Sequence, residues 1–158
     1  MTVTVITVGS LKESYLREAV QEYKKRIGQY ARVDEVNLNE VKISNEDDAK
    51  EISRALEAEA VKILAAIPDG AYTIALCVEG KEYSSEELAE IVGRCENETG
   101  KLALVIGSSH GLSPRVKDAA NLRLSFSRLT FPHQLIRVNL YEAIYRSFTI
   151  LRGKRYHK

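Results

Sequence analysis

The N-terminal third of the chain switches between strand-like and helix-like patterns of apolar residues. Val3 to Val8 is a β-branched run, and Arg32 to Leu38 alternates between apolar and polar positions, so we predict a strand at each. Apolar residues between these runs recur at helical spacing, which predicts a helix ending at Ile27. Ser10 and Glu13 have the spacing of a capping box and predict where that helix starts.

The rest of the chain continues the same alternation. A long helix rich in Ala, Glu, Leu and Lys is predicted from near Asn45 to Ile67. Ser84 and Glu87 form a second capping-box pair, ahead of a helix that ends before Gly100. The remaining predicted elements are strands over Ala71 to Val78, Leu102 to Ile106 and Leu122 to Phe126, a short helix from Ser113-Pro114, and a final helix that Pro132 opens as a first-turn residue.

The strict alternation of strands and helices predicts the fold class. It favours one α/β domain over residues 1–158, with a mostly parallel sheet and helices on both faces. A chain of this length is large enough to bury a sizeable core. The sequence contains no internal repeat, low-complexity segment or interdomain linker.

Several classes of protein are disfavoured by the composition. No apolar run approaches the ~20 residues of a membrane span, and the N-terminus is typical of a strand, not of a signal peptide. Cys77 and Cys95 are not a CxxC pair, so we expect buried free thiols. The three histidines are too scattered for a metal motif. We therefore expect a cytoplasmic protein with no metal and no membrane partner.

The charge of the chain is distributed unevenly. Residues 1–112 hold 13 Lys/Arg and 20 Asp/Glu, a balance of −7, whereas residues 113–158 hold 10 Lys/Arg and 2 Asp/Glu, a balance of +8. Cations at a helix end are favoured by the helix dipole alone. A polyanion-binding surface accounts better for the whole C-terminal third.

Ligands of open α/β sheets bind at the loops that follow the strands. The first strand lacks a G-x-G-x-x-G loop, and the chain has no Walker A sequence, which disfavours the common nucleotide sites. The loop Gly107–Gly111 contains G-x-S-x-G, the motif of a hydrolase nucleophile elbow, with Ser109 as the nucleophile. In a true elbow the helix follows the nucleophile directly, whereas here the next predicted helix begins only at Ser113-Pro114. A serine hydrolase is therefore kept only as an alternative. The simpler interpretation is a glycine loop that lets the main chain approach a ligand closely.

Three strand ends combine apolar residues with small side chains or accessible backbone. They are Leu76–Gly80, Gly107–Gly111 and Phe126–Phe131. Such a surface suits a flat heterocycle held by main-chain hydrogen bonds and an apolar clamp. It suits a phosphate less well, since the first two loops contain few basic residues.

Three segments of the chain carry a resemblance to a known family. The segments VIGSSHGL and LSFSRLTFPHQLIRVNLYEAIYRSFTILRGKRYHK, together with the opening VITVGSLKESYLREAVQEYKKRI, closely resemble the RlmH family of SPOUT-class methyltransferases. The resemblance covers essentially the whole chain. One departure is Ser108, where the family usually has a second glycine, so this residue needs a backbone conformation that tolerates a Cβ.

The resemblance implies a fold, a cofactor and a substrate. The fold is α/β with a C-terminal trefoil knot, the knot and cofactor pocket lying in about residues 71–158. The activity is transfer of a methyl group from S-adenosylmethionine to N3 of a pseudouridine in 23S ribosomal RNA, by a homodimer. The cofactor-binding positions implied are Leu76, Gly107, Phe126, Ser127, Arg128, Leu129, Thr130 and Phe131.

The resemblance also places catalytic and RNA-binding roles in the last helix and tail. The catalytic positions implied are His133, Glu142, Arg146 and His157, and we expect RNA contacts from Arg137, Arg152, Lys154, Arg155 and Tyr156. Either His133 or His157 can serve as the general base, because a histidine is largely neutral at pH 7. A chain this short has little room for a separate RNA-binding domain, so the assembled ribosome is the expected substrate. A non-catalytic RNA-binding module stays a second alternative.

Overall fold

A computed structural model describes residues 1–157, in which five strands alternate with five helices. The strands are β1 (Thr2–Val8), β2 (Arg32–Leu38), β3 (Tyr72–Glu82), β4 (Lys101–Ile106) and β5 (Leu122–Ser125). The helices are α1 (Ser14–Ile27), α2 (Ala49–Ala66), α3 (Ser85–Glu98), α4 (Pro114–Ala119) and α5 (His133–Leu151). Each predicted element is present. The single domain predicted over 1–158 includes Lys158, which lies outside the described residues, and stays a prediction.

Within residues 1–157 the strands form one parallel sheet in the order β2-β1-β4-β3-β5. Alternate residues of β1 to β4 enter two different cores, as the period of a strand requires. Val3 and Val5 of β1 belong to the core that α1, α3 and α5 cover. Ile6 and Val8 belong to the core beneath α2 and α4. The predicted α/β class with helices on both faces is confirmed.

The helix starts were predicted less accurately than the helices themselves. The capping box of Ser84 and Glu87 is present, with both of its reciprocal bonds. The box predicted at Ser10 and Glu13 is wrong, because α1 begins at Ser14 and Glu13 makes no side-chain cap bond. Helix α2 begins four residues after Asn45, capped by the carboxylate of Asp48. Pro132 was predicted inside the first turn of α5, but it is the N-cap, because the helix begins one residue later, at His133.

A close crossing of two chain segments occurs where β3 meets β5. Leu124 of β5 is paired with Leu76 and again with Lys81, so residues 77–80 bulge out between the two pairings. A Cβ on Gly80 would lie 2.7 Å from the carbonyl carbon of Leu124, which leaves no room for any side chain but hydrogen. Backbone therefore packs directly on backbone at this crossing.

Two further expectations concern the cysteines and the membrane. Cys77 of β3 is half-buried, Cys95 of α3 is buried, and both are free thiols, as predicted. Burial raises the pKa of the Cys95 thiol to about 11, so this thiol stays protonated and unreactive. No helix in the described part of the chain has the length and apolar character needed to cross a bilayer.

Candidate functional site

A cavity of about 720 Å³ opens at the carboxyl ends of β3, β4 and β5. The three strand ends singled out in the sequence converge there. Its wall consists of residues 76–79, 106–112, 124–127 and 129–133, with Lys117 and Ile136. A volume of this size falls within the range of ~300–1,000 Å³ that is usual for small-molecule and cofactor pockets.

Seven of the eight predicted cofactor-binding residues line this cavity. They are Leu76, Gly107, Phe126, Ser127, Leu129, Thr130 and Phe131. The eighth, Arg128, is exposed and is not part of the wall. The structure therefore brings the predicted set together, while the binding role of each residue stays a prediction.

The loop after β4 folds back on itself so tightly that it needs a glycine. A Cβ on Gly107 would lie 2.1 Å from the carbonyl oxygen of Gly111, well inside van der Waals contact. Gly111 has φ +87°, in the left-handed region, and its N–H donates to the carbonyl oxygen of Ser108 at 2.9 Å. The cavity wall here is main chain, as the sequence predicted.

Both serines of this loop donate to glutamates that the sequence pattern did not single out. Ser108 Oγ donates to Glu59 Oε2 at 3.1 Å, and Ser109 Oγ donates to Glu40 Oε1 at 3.2 Å. Ser108 tolerates its Cβ, because no non-glycine residue among 1–157 has a positive φ. A nucleophilic serine requires a base within hydrogen-bonding reach, normally a histidine, and Ser109 is bonded to a carboxylate instead.

His133 is the first residue of α5 and lies in the cavity wall. Its Nε2 atom, Glu40 Oε2 and Arg137 Nη2 all lie within 4 Å of the position that a Cβ on Gly9 would occupy, so these groups are neighbours. Burial is the main cause that lowers the pKa of His133, the positive charge of Arg137 adds to it, and Glu40 opposes it. The imidazole is therefore neutral at pH 7, the form that can accept a proton.

Arg137 lies inside the fold and not on a surface. Its side chain is only 3% exposed, and its guanidinium donates to the carbonyl oxygens of Val8 at 2.9 Å and Gly9 at 2.8 Å. The geometry does not favour the predicted RNA contact. Helical periodicity could have predicted this burial, because Arg137 is three and four positions before the buried residues Leu140 and Tyr141 and so lies on the same face of α5.

The other predicted catalytic residues, Glu142, Arg146 and His157, meet Tyr156, a predicted RNA contact, in a second group on the later part of α5 and the residues that follow it. We call these four residues the tail cluster. Arg146 pairs with Glu142 at 2.6 Å, across one turn of helix. Its Nη1 atom also lies 3.2 Å from His157 Nδ1. Burial is the main cause that raises the pKa of Tyr156 to about 12, so its hydroxyl stays protonated and donates to Glu142 Oε1 at 3.1 Å.

The structure does not bring His133 and the tail cluster together within one chain. Glu142 lies nine positions after His133 on α5. At ~1.5 Å and ~100° per residue, this spacing is about 14 Å along the helix axis and about half a turn around it. His157 instead contacts Glu86 of α3, with 2.7 Å between Nε2 and Oε1. The predicted catalytic residues therefore form two separate groups.

The cations of the tail differ in their environment. Arg152 makes a two-pronged contact to Glu96 of α3, at 2.6 and 3.1 Å. Lys154 and Arg155 are both exposed to solvent. Exposed cations at the chain's C-terminal end are the arrangement expected of a polyanion-binding surface, and Arg152 contributes to it only if Glu96 releases it.

Comparison with known protein families shows the class of protein to which the chain belongs. A family model described as "Predicted SPOUT methyltransferase" matches residues 1–157, so the chain belongs to the SPOUT methyltransferase family. Membership confirms the predicted fold class, including the C-terminal knot, and the predicted enzyme class. It implies a methyl donor of the S-adenosylmethionine type. It does not support the serine hydrolase or the non-catalytic module.

Within the family, the chain is similar to proteins named "Ribosomal RNA large subunit methyltransferase H". It is 44% identical to the one from Caldicellulosiruptor saccharolyticus over 99% of both chains. It is 46% identical to the one from Clostridium novyi and 44% identical to the one from Listeria monocytogenes, each over 100% of both chains. The resemblance to the RlmH family is confirmed.

Proposed function

We propose that this chain transfers a methyl group from S-adenosylmethionine to N3 of a pseudouridine in 23S ribosomal RNA. The observation that carries the proposal is the single cavity built by the three predicted strand ends, with His133 in its wall. The full-length similarity to proteins named for methylation of large-subunit ribosomal RNA supports the substrate class. The cytoplasm is the expected location, because ribosomal RNA is found there.

The residues of the cavity fit an adenosyl cofactor. Leu76, Ile106 and Phe126 offer apolar surface for a flat purine ring, and the bare backbone at Gly107 allows close approach. When bound, S-adenosylmethionine supplies a methyl group that is already activated for transfer. The protein therefore needs to align the acceptor nitrogen and remove its proton.

His133 is the base that the geometry of the cavity supports. It lies in the cavity wall, and burial keeps its imidazole neutral. Arg137 fixes the neighbouring Val8-Gly9 backbone and so holds the end of β1 against the first turns of α5. Glu40 lies near the imidazole and favours the imidazolium that forms once a proton is accepted.

The tail cluster is proposed to act on the RNA and to do so from a partner subunit. Within one chain it lies too far from His133, whereas a homodimer can place the tail of one subunit at the cavity of the other. Exposed apolar side chains of the cavity wall suit such a partner surface, since Leu129 is 73% exposed and Phe131 is 36% exposed. The active site is then shared between two copies of the chain.

Methyl transfer from labelled S-adenosylmethionine tests the proposal most directly. Whole ribosomes or large subunits should be labelled at one pseudouridine, and extracted RNA much less, because a chain of 158 residues has little room for a separate RNA-binding domain. Mapping the modified base identifies the site. Labelling of extracted RNA at the same rate would overturn the ribosome as substrate, and absence of any label would overturn the proposed function.

The base is tested by His133→Ala and His157→Ala, measured side by side. We expect His133→Ala to bind S-adenosylmethionine within about twofold of the wild type while methyl transfer falls about 100-fold or more. Full activity in His133→Ala together with loss in His157→Ala would assign the base to the tail instead. Light scattering of the wild-type protein tests the homodimer.

A further inference from the structure

Glu59 is a buried carboxylate directly behind the cavity wall. Among residues 1–157 it is the acidic side chain with the lowest exposure, at 3%. Its Oε1 atom accepts from the Val41 N–H at 3.0 Å, and its Oε2 atom accepts from Ser108 Oγ at 3.1 Å. Since Ser108 belongs to the wall, one hydrogen bond separates this carboxylate from the cavity.

The charge of Glu59 has no counter-ion within the described chain. None of the ion pairs formed by residues 1–157 includes it, whereas Glu79 on the cavity rim is paired with Lys117. A buried charge is costly unless it is compensated, and the two neutral donors compensate it only in part. A cationic ligand in the adjacent cavity would supply the missing positive charge.

We propose that Glu59 makes the cavity prefer a sulfonium ligand over the neutral thioether that remains after methyl transfer. This inference rests on the proposed function, because it concerns the same cavity. Glu59 does not touch the ligand and acts across the cavity wall through the field of its charge, which the surrounding protein interior screens less than water does. Its effect is a selectivity between S-adenosylmethionine and S-adenosylhomocysteine, which helps the product to leave.

The test is calorimetric binding of both ligands to the wild type and to Glu59→Gln. Glutamine has the same shape, its amide oxygen can accept from Val41, and its NH₂ group can donate to the Ser108 hydroxyl, which also accepts. We expect the Kd of S-adenosylmethionine to rise about tenfold. The Kd of S-adenosylhomocysteine should change by less than about twofold, because the uncharged sulfur interacts little with the charge.

The matched control is Glu57→Gln, on the same helix. Glu57 also accepts from a serine, Ser113, but it is exposed and its serine lies outside the cavity wall. We expect this variant to leave the ratio of the two Kd values within about twofold of the wild type, because solvent and salt screen an exposed charge.

Three binding results would contradict the proposed role of Glu59. Equal weakening of both ligands in Glu59→Gln, or no change in either, would overturn the inference, since a purely structural role cannot distinguish the two sulfur atoms. Ser108→Ala keeps the charge and removes the hydroxyl, so its selectivity should persist, and loss of selectivity there would also overturn the inference. If the wild type binds neither ligand, the proposed function itself fails and this inference fails with it.

Discussion

The two ends of α5 carry two different kinds of site. At its N-terminal end, the cavity wall consists of apolar side chains and bare backbone, as at Gly107. At its C-terminal end, the tail cluster consists of charged and aromatic side chains, joined by bonds such as that between Arg146 and Glu142. Cofactor binding in the cavity should therefore depend strongly on side-chain volume and little on surface charge. The function of the tail cluster should depend strongly on charge and little on side-chain volume.

The largest expected effect is at the volume-sensitive end. Gly107→Ala places a Cβ 2.1 Å from the carbonyl oxygen of Gly111, so the loop must move. We expect affinity for S-adenosylmethionine to fall by at least about 100-fold, measured by calorimetry. Ser109→Ala, an exposed change in the same loop, is the control and should bind within about twofold of the wild type. Normal binding by Gly107→Ala would contradict the close loop packing.

A large effect on activity alone is expected at the charge-sensitive end. Arg146→Ala removes the partner of Glu142 and the contact to His157. Methyl transfer to ribosomes should fall about 100-fold, because the remaining groups are no longer held in place, while cofactor affinity stays within about twofold. The control is Arg123→Ala, which breaks the surface pair with Asp118 and should change activity little. Loss of cofactor binding in Arg146→Ala would show that the cofactor cavity depends on the tail cluster.

A smaller effect is expected from the tail cations. Lys154→Ala and Arg155→Ala together should raise the KM for ribosomes about tenfold and lower the salt dependence of log KM by roughly two units, one for each phosphate contact. Arg152→Ala should change the KM less, since Glu96 already holds that guanidinium. A uniform effect of all three substitutions would show that Glu96 releases Arg152 when RNA binds.

The smallest effect is expected in the pH profile. Because burial lowers the pKa of His133, methyl transfer should rise with pH through a midpoint below the usual value for histidine and stay constant above it. Glu40 favours the protonated form, so Glu40→Gln should move this midpoint to lower pH, by less than about one unit because Glu40 is exposed. A shift to higher pH would contradict the arrangement around Gly9.

The sequence predicted the elements of the fold and the convergence of three strand ends, because both follow from the spacing of apolar residues. It could not show where a polar side chain has an internal partner far away in the chain. The resemblance implied an RNA contact for Arg137, whereas in the structure the Val8 and Gly9 carbonyls bind it from 129 and 128 positions away. Glu59 was overlooked in a helix rich in similar residues, since only the fold shows that it meets Ser108.

The assignment of site residues was strongest for those fixed by backbone geometry. Gly107 could be selected because a glycine at the end of a buried strand indicates a place where main chain is approached closely. Glu40 could also have been found, since it follows the end of β2 as the other selected loops follow β3, β4 and β5. The separation of His133 from the tail cluster could be read from helix periodicity alone, but only once α5 was known to be continuous from His133 to Leu151.

The crossing at Gly80 has a consequence for the order in which the molecule assembles. β5 must reach its place beside residues 76–81 after a long excursion of the chain, and such non-local pairings are slow to form. The cavity has no third wall until that step is complete. Newly synthesised chains should therefore acquire their helices well before they acquire affinity for a cofactor, and ligand binding becomes a marker of the last event in folding.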